Sequence, residues 1–209
     1  MSTELYLIRH GETDWNRLNL YQGTTDVPLN GVGREQAEAL AARLGGVAFS
    51  AAYTSPLRRA ADTARAVLRG TGVPLMKVRE LSELSYGLWQ GQAPGPGGRC
   101  DPAVERQWRQ SPWTVRFPGG ESLEDVRMRG TAALGAILAA HDGATVLVSG
   151  HGHLNRVLLI HLLGLPRESF WEIPQPNAAC WRLEIGTDPS TGLRRAAGEP
   201  LHTDGLTVD

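Results

Sequence analysis

Three short stretches of this chain carry residue types that hold an anion and attack it. Arg9-His10-Gly11-Glu12-Thr13 follows the apolar run Leu5-Tyr6-Leu7-Ile8, which reads as a strand buried on both faces. Such a strand opens at its carboxyl end into the crevice where open α/β sheets bind ligands. Arginine, histidine and a flexible glycine at that point put a nucleophile beside a cation on a permissive backbone. Phosphoryl transfer through a phosphohistidine needs those parts. The second stretch, Ser55-Pro56-Leu57-Arg58-Arg59, starts a helix, where free amides and two guanidinium groups favour an anion. The third, Ser149-Gly150-His151-Gly152-His153, again runs from strand to helix start. An isolated Arg-His-Gly more often closes a strand beside a surface cation. Three such strand ends that converge over one pocket instead make an anion site without a metal.

The elements that must position them alternate between strand and helix, the pattern of an α/β sheet. Strands are expected over residues 5–8, 51–54, 75–78, 145–149 and 179–185. Asn30-Gly31 opens a helix with Val32, Ala37, Leu40, Ala41 and Leu44 on one side, stopped by Gly45-Gly46. Ser55 and Pro56 read as N-cap and first helical residue of a helix reaching Leu68. Residues 92–98 are almost all Gly, Pro and Ala and lead into an insert with a short helix over 102–110. Ser122 with Asp125 three residues on caps a long helix to about residue 140. A further helix over 152–163 carries Leu154, Val157, Leu158 and His161 at helical spacing, with His161 expected to pack partly buried. The tail from about residue 186 is polar and Gly-rich and reads as surface loop or partly disordered chain.

These pieces resemble the histidine phosphatase superfamily in its phosphoglycerate mutase-like branch. The matching residues are Arg9-His10-Gly11-Glu12-Thr13 with Trp15-Asn16, Gln22-Gly23, and Ser55-Pro56-Leu57-Arg58-Arg59-Ala60 ending at Thr63. Leu81-Ser82-Glu83 follows with Tyr86-Gly87 and Gly91, then Pro118-Gly119-Gly120-Glu121-Ser122, then His151-Gly152 ending at Arg156. Each is weak alone; together they run in family order through nearly the whole chain. The resemblance implies an α/β three-layer sandwich, with a mixed, mostly parallel six-stranded sheet and helices on both faces. A single domain spans residues 1–209, with a cap-like insert at about 92–118.

By the same resemblance His10 attacks phosphorus, and Arg9, Arg59 and His151 hold the phosphoryl oxygens as charge spreads in the transition state. His10 must be neutral to attack, and the charge of Arg9, Arg59 and a protonated His151 would depress its pKa. Between the two adjacent arginines the family pattern selects Arg59, leaving Arg58 to pair with Asp62 four residues on. Glu83 is the candidate general acid, protonating the leaving alkoxide and later activating water. Asn16, Gln22, Gly23, Gly152 and His153 are candidates for the substrate mouth. Trp108 and Trp113 are expected to pack the short helix onto its domain rather than line a substrate wall. His141 and His202 are expected in solvent.

The mutases carry a longer segment after the glutamate, with an Arg-Arg pair and a lysine for phosphoglycerate. Here the segment between Gly91 and Gly119 is short, with scattered Arg99, Arg106, Arg109 and Arg116 and no lysine. The expected activity is therefore a phosphatase on small phosphate monoesters, ahead of a cofactor-dependent phosphoglycerate mutase. A non-catalytic phospho-ligand binding module is disfavoured because His10, Arg9, Arg59, Glu83 and His151 are all present. No metal or other cofactor is expected. A formal net charge of −1 over 209 residues gives no general attraction to nucleic acid or acidic membranes. Apolar residues make up 41%, enough for a core, in runs too short to span a bilayer. The opening residues show no secretory pattern. Cys100 and Cys180 form no CxxC pair and fit packing roles in a reducing cytoplasm. The expected partner is a small phosphorylated metabolite, with a homodimer left open.

Overall fold

Strand β1 (Thr3–Arg9) alternates its side chains between two buried faces, so it occupies the middle of the sheet. The computed structural model describes residues 2–95, 100–187 and 194–201. Leu5 and Leu7 point to one face with Val146 and Val148 of β4 (Thr145–Gly150), while Tyr6 and Ile8 point to the other with Leu147. Helices α5 (Leu123–Ala140) and α6 (Gly152–Leu163) cover the first face. Helices α2 (Gly31–Leu44) and α3 (Arg58–Val67) cover the second through Leu40, Leu44, Ala64 and Val67. The result is the expected three-layer α/β arrangement.

With β2 (Ala51–Thr54), β3 (Leu75–Lys77), β5 (Cys180–Thr187) and β6 (Arg194–Leu201), the six-stranded sheet has the order β3-β2-β4-β1-β5-β6. Strands β3, β2, β4 and β1 pair in parallel; β5 runs antiparallel to β1, and β6 antiparallel to β5. The register sets Arg9 opposite Gly150 and Thr54 opposite Ser149. Three strand ends therefore open side by side, and the residues after each meet above β1 and β4.

Local signals account for most element ends. Asn30 accepts from the Gly33 amide at 2.8 Å to start α2, and Ser122 and Asp125 form a capping box on α5. Gly164, at φ 64°, ends α6 in the left-handed conformation. A one-turn helix, α1 (Asp14–Arg17), is capped reciprocally by Thr13 and Asn16. The insert contributes α4 (Pro102–Gln110), started by Asp101 and held down by buried Glu105 and Trp108. Glu105 accepts from the Gly95 amide, and Trp108 sits among Tyr86, Phe117 and Phe170. Both insert tryptophans serve packing: Trp113 donates to the Arg167 carbonyl at 2.9 Å.

Five expectations are corrected. The polar tail is not only loop: residues 194–201 form the edge strand β6, which tolerates Pro200 because it lies at the sheet edge. Helix α3 starts at Arg58, not Pro56. The Ser55 hydroxyl caps a turn to the Leu57 amide, and Asp26 accepts from the Arg58 amide at 2.7 Å. His161 is exposed rather than packed, since its side of α6 faces away from the core, and Val32 is exposed on α2. His141 is half-buried, with Nε2 2.7 Å from the Tyr53 hydroxyl, whereas His202 lies outside the described residues.

Candidate active site

His10 follows β1 directly, and its amide still donates to the Gly150 carbonyl at 3.2 Å, which seats it beside His151. The ring is nearly closed off, with Nδ1 2.7 Å from the Gly11 carbonyl. A carbonyl only accepts, so Nδ1 carries the proton and Nε2 keeps its lone pair. The Arg59 Nε–H donates to that lone pair at 3.3 Å. Burial, then the charges of Arg59 and of other neighbours, pushes the His10 pKa well below the ordinary histidine value. His10 is thus a neutral imidazole whose tautomer leaves Nε2 unprotonated. Thr63 ties this loop to α3, accepting from the Gly11 amide at 3.1 Å and donating to the Arg59 carbonyl at 2.8 Å. A Cβ on Gly11 would lie 2.3 Å from the Gly33 carbonyl oxygen, so only glycine lets the loop rest on α2.

Arg59 is fully buried and held by the carbonyls of Thr25 (2.8 Å) and Gly23 (2.6 Å). Arg9 donates through Nη1 to the Gln175 carbonyl, while its Nε is buried without a partner among the described residues. Burial lowers both guanidinium groups to about 10, so both remain cations at neutral pH. His151 is fully buried, edge-on to His10 with ring centroids 5.2 Å apart, and neither of its ring nitrogens has a partner among the described residues. Burial and then Arg59 push its pKa well below the histidine range, so the expected protonated His151 is corrected to a neutral ring. Buried polar atoms left unmatched are costly; here a phosphoryl oxygen beside His10 could accept from the Arg9 Nε–H and from the one N–H of the His151 ring.

Arg9, His10 and Glu83 line one cavity of about 270 Å³, together with Tyr86 and Arg156. Asn16, Gln22, Gly23, Gly152 and His153 all line the same cavity, whereas Arg59 and His151 lie against His10. Asn16 accepts at Oδ1 from the Thr13 amide (3.2 Å) and from Asn177 (3.3 Å). Gln22 accepts at Oε1 from the Thr13 hydroxyl at 2.8 Å. Arg58 turns away from this cavity and pairs with Asp26 at 3.1 Å, not with Asp62.

Glu83 is buried at the start of α6. Its Oε1 accepts from the amides of Leu84 (2.9 Å) and Leu154 (3.1 Å), and its Oε2 accepts from the His153 amide (3.2 Å). The His153 ring nitrogen Nδ1 lies 3.3 Å from that same Oε2. Burial alone would raise the Glu83 pKa, but His153, His151 and these amides outweigh it and leave the carboxyl well below its ordinary range. In the free site Glu83 is a carboxylate.

Sequence reasoning missed what holds this carboxylate in place. Arg129 of α5 donates to the carbonyls of Glu80, Ser82 and Glu83 at 2.6–3.0 Å, and pairs with both oxygens of Glu121. Glu121 in turn accepts from the Ser85 amide at 2.9 Å. Gly87 and Gly120 allow the close approach, since a Cβ on Gly87 would sit 2.2 Å from the Pro118 carbonyl oxygen. The Pro118-Gly119-Gly120-Glu121-Ser122 motif is therefore a clamp on the Glu83 loop. An arginine in mid-helix carries no such signal in sequence. Arg156, which only ended a motif, packs its guanidinium over Phe170 and Trp171 and reaches the cavity. Among the described residues no group of three or more His, Cys, Asp or Glu side chains is placed to hold a metal ion. No helix among them is long and apolar enough to cross a membrane.

Known proteins share both this sequence pattern and this fold. The chain belongs to the histidine phosphatase superfamily (branch 1), whose family model matches residues 5–195. It is 32% identical over 176 residues to phosphoserine phosphatase 1 of Hydrogenobacter thermophilus, covering 84% of this chain and 83% of that protein. It is 37% identical over 164 residues to 2,3-bisphosphoglycerate-dependent phosphoglycerate mutase 2 of Gloeobacter violaceus, covering 76% and 74%. The solved structure of YhfR from Bacillus stearothermophilus superposes with a TM-score of 0.85 at 33% identity, covering 94% of this chain and 96% of that one.

Proposed function

We propose that this protein is a phosphatase that hydrolyses small phosphate monoesters through a phosphohistidine at His10, with no metal ion. The observation that carries this reading is the fixed tautomer of His10: Nδ1–H is committed to Gly11, and Nε2 points its lone pair at Arg59 beside the cavity. A phosphoryl group seated there meets the Arg9 and Arg59 guanidinium groups, the unmatched His151 ring and the amides at the start of α6. Nε2 attacks phosphorus, the ester oxygen leaves as an alcohol, and water then releases phosphate. Glu83 handles the proton in both halves.

Water rather than phosphoglycerate is favoured as acceptor by the insert. Arg106, Arg109 and Arg116 are exposed and none lines the cavity; Arg99 lies outside the described residues. A mutase would draw on cations there to hold the second substrate. The mutase reading retains support from the Gloeobacter relative. The free, buried Cys100 and Cys180 suit a reducing compartment, and we place the protein in the cytoplasm.

The test is brief exposure to labelled substrate followed by denaturation, alongside a panel of phosphate esters with and without bisphosphoglycerate. Wild type yields an acid-labile, alkali-stable phosphoprotein and free phosphate; His10→Ala yields neither. A labelled His10→Ala protein would overturn the assignment, and phosphoryl transfer to phosphoglycerate outpacing hydrolysis would favour the mutase.

A further inference from the structure

The leaving-group proton poses a problem that the cavity itself addresses. Glu83 lines the cavity with Arg9, Arg156 and Tyr86, and against the cost of burial His153, His151 and the Leu84 amide keep its carboxylate ionised. Its Oε1 meets two fixed amides, which donate hydrogen bonds but transfer no proton. Its Oε2 meets one fixed amide and the His153 ring nitrogen. That ring is itself held: it stacks on Phe170 at 5.8 Å and 19°, stands edge-on to Trp171, and lies beside the Tyr86 hydroxyl at 3.3 Å. The rings hold its Nδ1 3.3 Å from Glu83 Oε2, with the Tyr86 hydroxyl 3.4 Å away.

We propose that Glu83 and His153 act as one proton-holding pair, in which His153 is a positioning residue that supplies the proton Glu83 delivers to the leaving oxygen. The proposal rests on the phosphatase reading. In the first half-reaction His10 Nε2 forms a bond to phosphorus and the ester P–O bond breaks. Its electron pair goes to the ester oxygen, which takes a proton from Glu83, refilled from His153 Nδ1–H. In the second, water bonds to phosphorus, the N–P bond breaks, and its electron pair returns to His10 Nε2. The water proton passes to Glu83 and back to His153. One proton is released and one regained per turnover.

The pair holds its proton only while one of its two members is protonated, so a poor leaving group loses its acid as pH rises. Without the ring Glu83 must hold the proton alone, while the His151 and amide contacts that favour its ionised form remain, so the loss moves to lower pH. The experiment compares kcat against pH for glycerol phosphate and nitrophenyl phosphate in wild type, His153→Asn and His153→Phe. The Phe variant retains ring packing; the Asn variant retains a donor to Oε2. Both variants are expected to lose about tenfold or more on glycerol phosphate. Their alkaline limb is expected to move down by about one pH unit or more, with a clearly smaller loss on nitrophenyl phosphate. An unmoved alkaline limb, or equal losses on both substrates, overturns the pairing and leaves the phosphatase reading standing. A wild-type protein that hydrolyses neither ester overturns both. Should the variants fold poorly, NMR titration of the His153 ring in wild type and Glu83→Gln decides: coupled groups give different titrations, and identical curves refute the pair.

Discussion

Replacing Glu83 by glutamine tests whether this side chain moves a proton or merely occupies space. The carboxylate accepts from Leu84 and Leu154 on one oxygen and faces the His153 amide and ring on the other. Glutamine keeps one acceptor. With its carbonyl toward Leu84 and Leu154, its NH₂ faces the His153 amide, and that buried donor loses its partner. The orphaned His153 amide is the main structural cost, roughly 1–3 kcal/mol. For a chain of this size that lowers the melting temperature by roughly 2–10 °C, leaving the protein folded at 25 °C. The catalytic loss is separate and larger: roughly 10²–10⁴-fold on an alkyl phosphate, equivalent to about 3–5 kcal/mol of barrier. Nitrophenolate leaves with little help, so kcat for nitrophenyl phosphate falls much less where the same step limits both. The assay is kcat for both esters at one pH, with folded fraction followed by circular dichroism. Equal losses would reduce Glu83 to a positioning residue, and no loss on either would remove it from the mechanism. The other nearby carboxylates make poor substitutes: Glu12 is bonded to Asn30 at 2.7 Å, Glu121 is locked to Arg129, and neither lines the cavity.

Three further outcomes follow from the same geometry. His10 and His151 are kept neutral by burial and by Arg59, so below about pH 6.5 the unfolded chain takes up protons that the folded site refuses. Stability is therefore flat above that pH and declines below it, less steeply in His10→Gln. Melting temperatures measured from pH 8 to 5 that stay level would contradict the neutral assignment. EDTA leaves turnover unchanged, because Arg9 and Arg59 supply the positive charge that a metal would bring; loss of activity restored by one divalent ion would refute this. Arg129→Met removes the half-buried ion pair to Glu121 and three carbonyl contacts, costing about 2–3 kcal/mol or roughly 5–10 °C. It also lowers kcat on alkyl phosphates more than on nitrophenyl phosphate, and a drop in stability with unchanged selectivity would detach the clamp from Glu83.

The parts of the fold that could be read from residues are those whose signals are local. Strands β1 and β4 are short apolar runs, and α2 and α5 carry their caps within three residues of their starts. Strand β6 has no such signal. Its Arg194-Arg195-Ala196-Ala197-Gly198-Glu199-Pro200-Leu201 reads as loop, and only pairing along β5 makes it a strand. Helix α3 shows the same limit from the other side. Its first amide is satisfied by Asp26, which also takes the Arg58 guanidinium that local spacing would give to Asp62. A cap supplied from 32 residues away is a tertiary fact, and it overrode the Ser-Pro start signal.

The site divides along the same line, and the division is informative about how an almost neutral chain builds an anion site. Residue type announces the groups proposed to hold phosphate: a histidine and arginines at strand ends have few other reasons to stand there. What tunes them is invisible in one dimension. Arg59 acts at His10 because β2 lies beside β4, and His151 reaches His10 because β4 lies beside β1. Glu83 is held at the start of α6 by a clamp from α5 and the Pro118–Ser122 turn. With a net charge of −1, the positive potential comes from few cations made effective by burial, not from abundance. Burial carries a cost, visible in the unmatched Arg9 Nε and His151 nitrogens. A phosphoryl group would relieve that cost only where its oxygens accept from the Arg9 Nε–H and the His151 N–H at once, so the groups that destabilise the free site would be those that select its ligand.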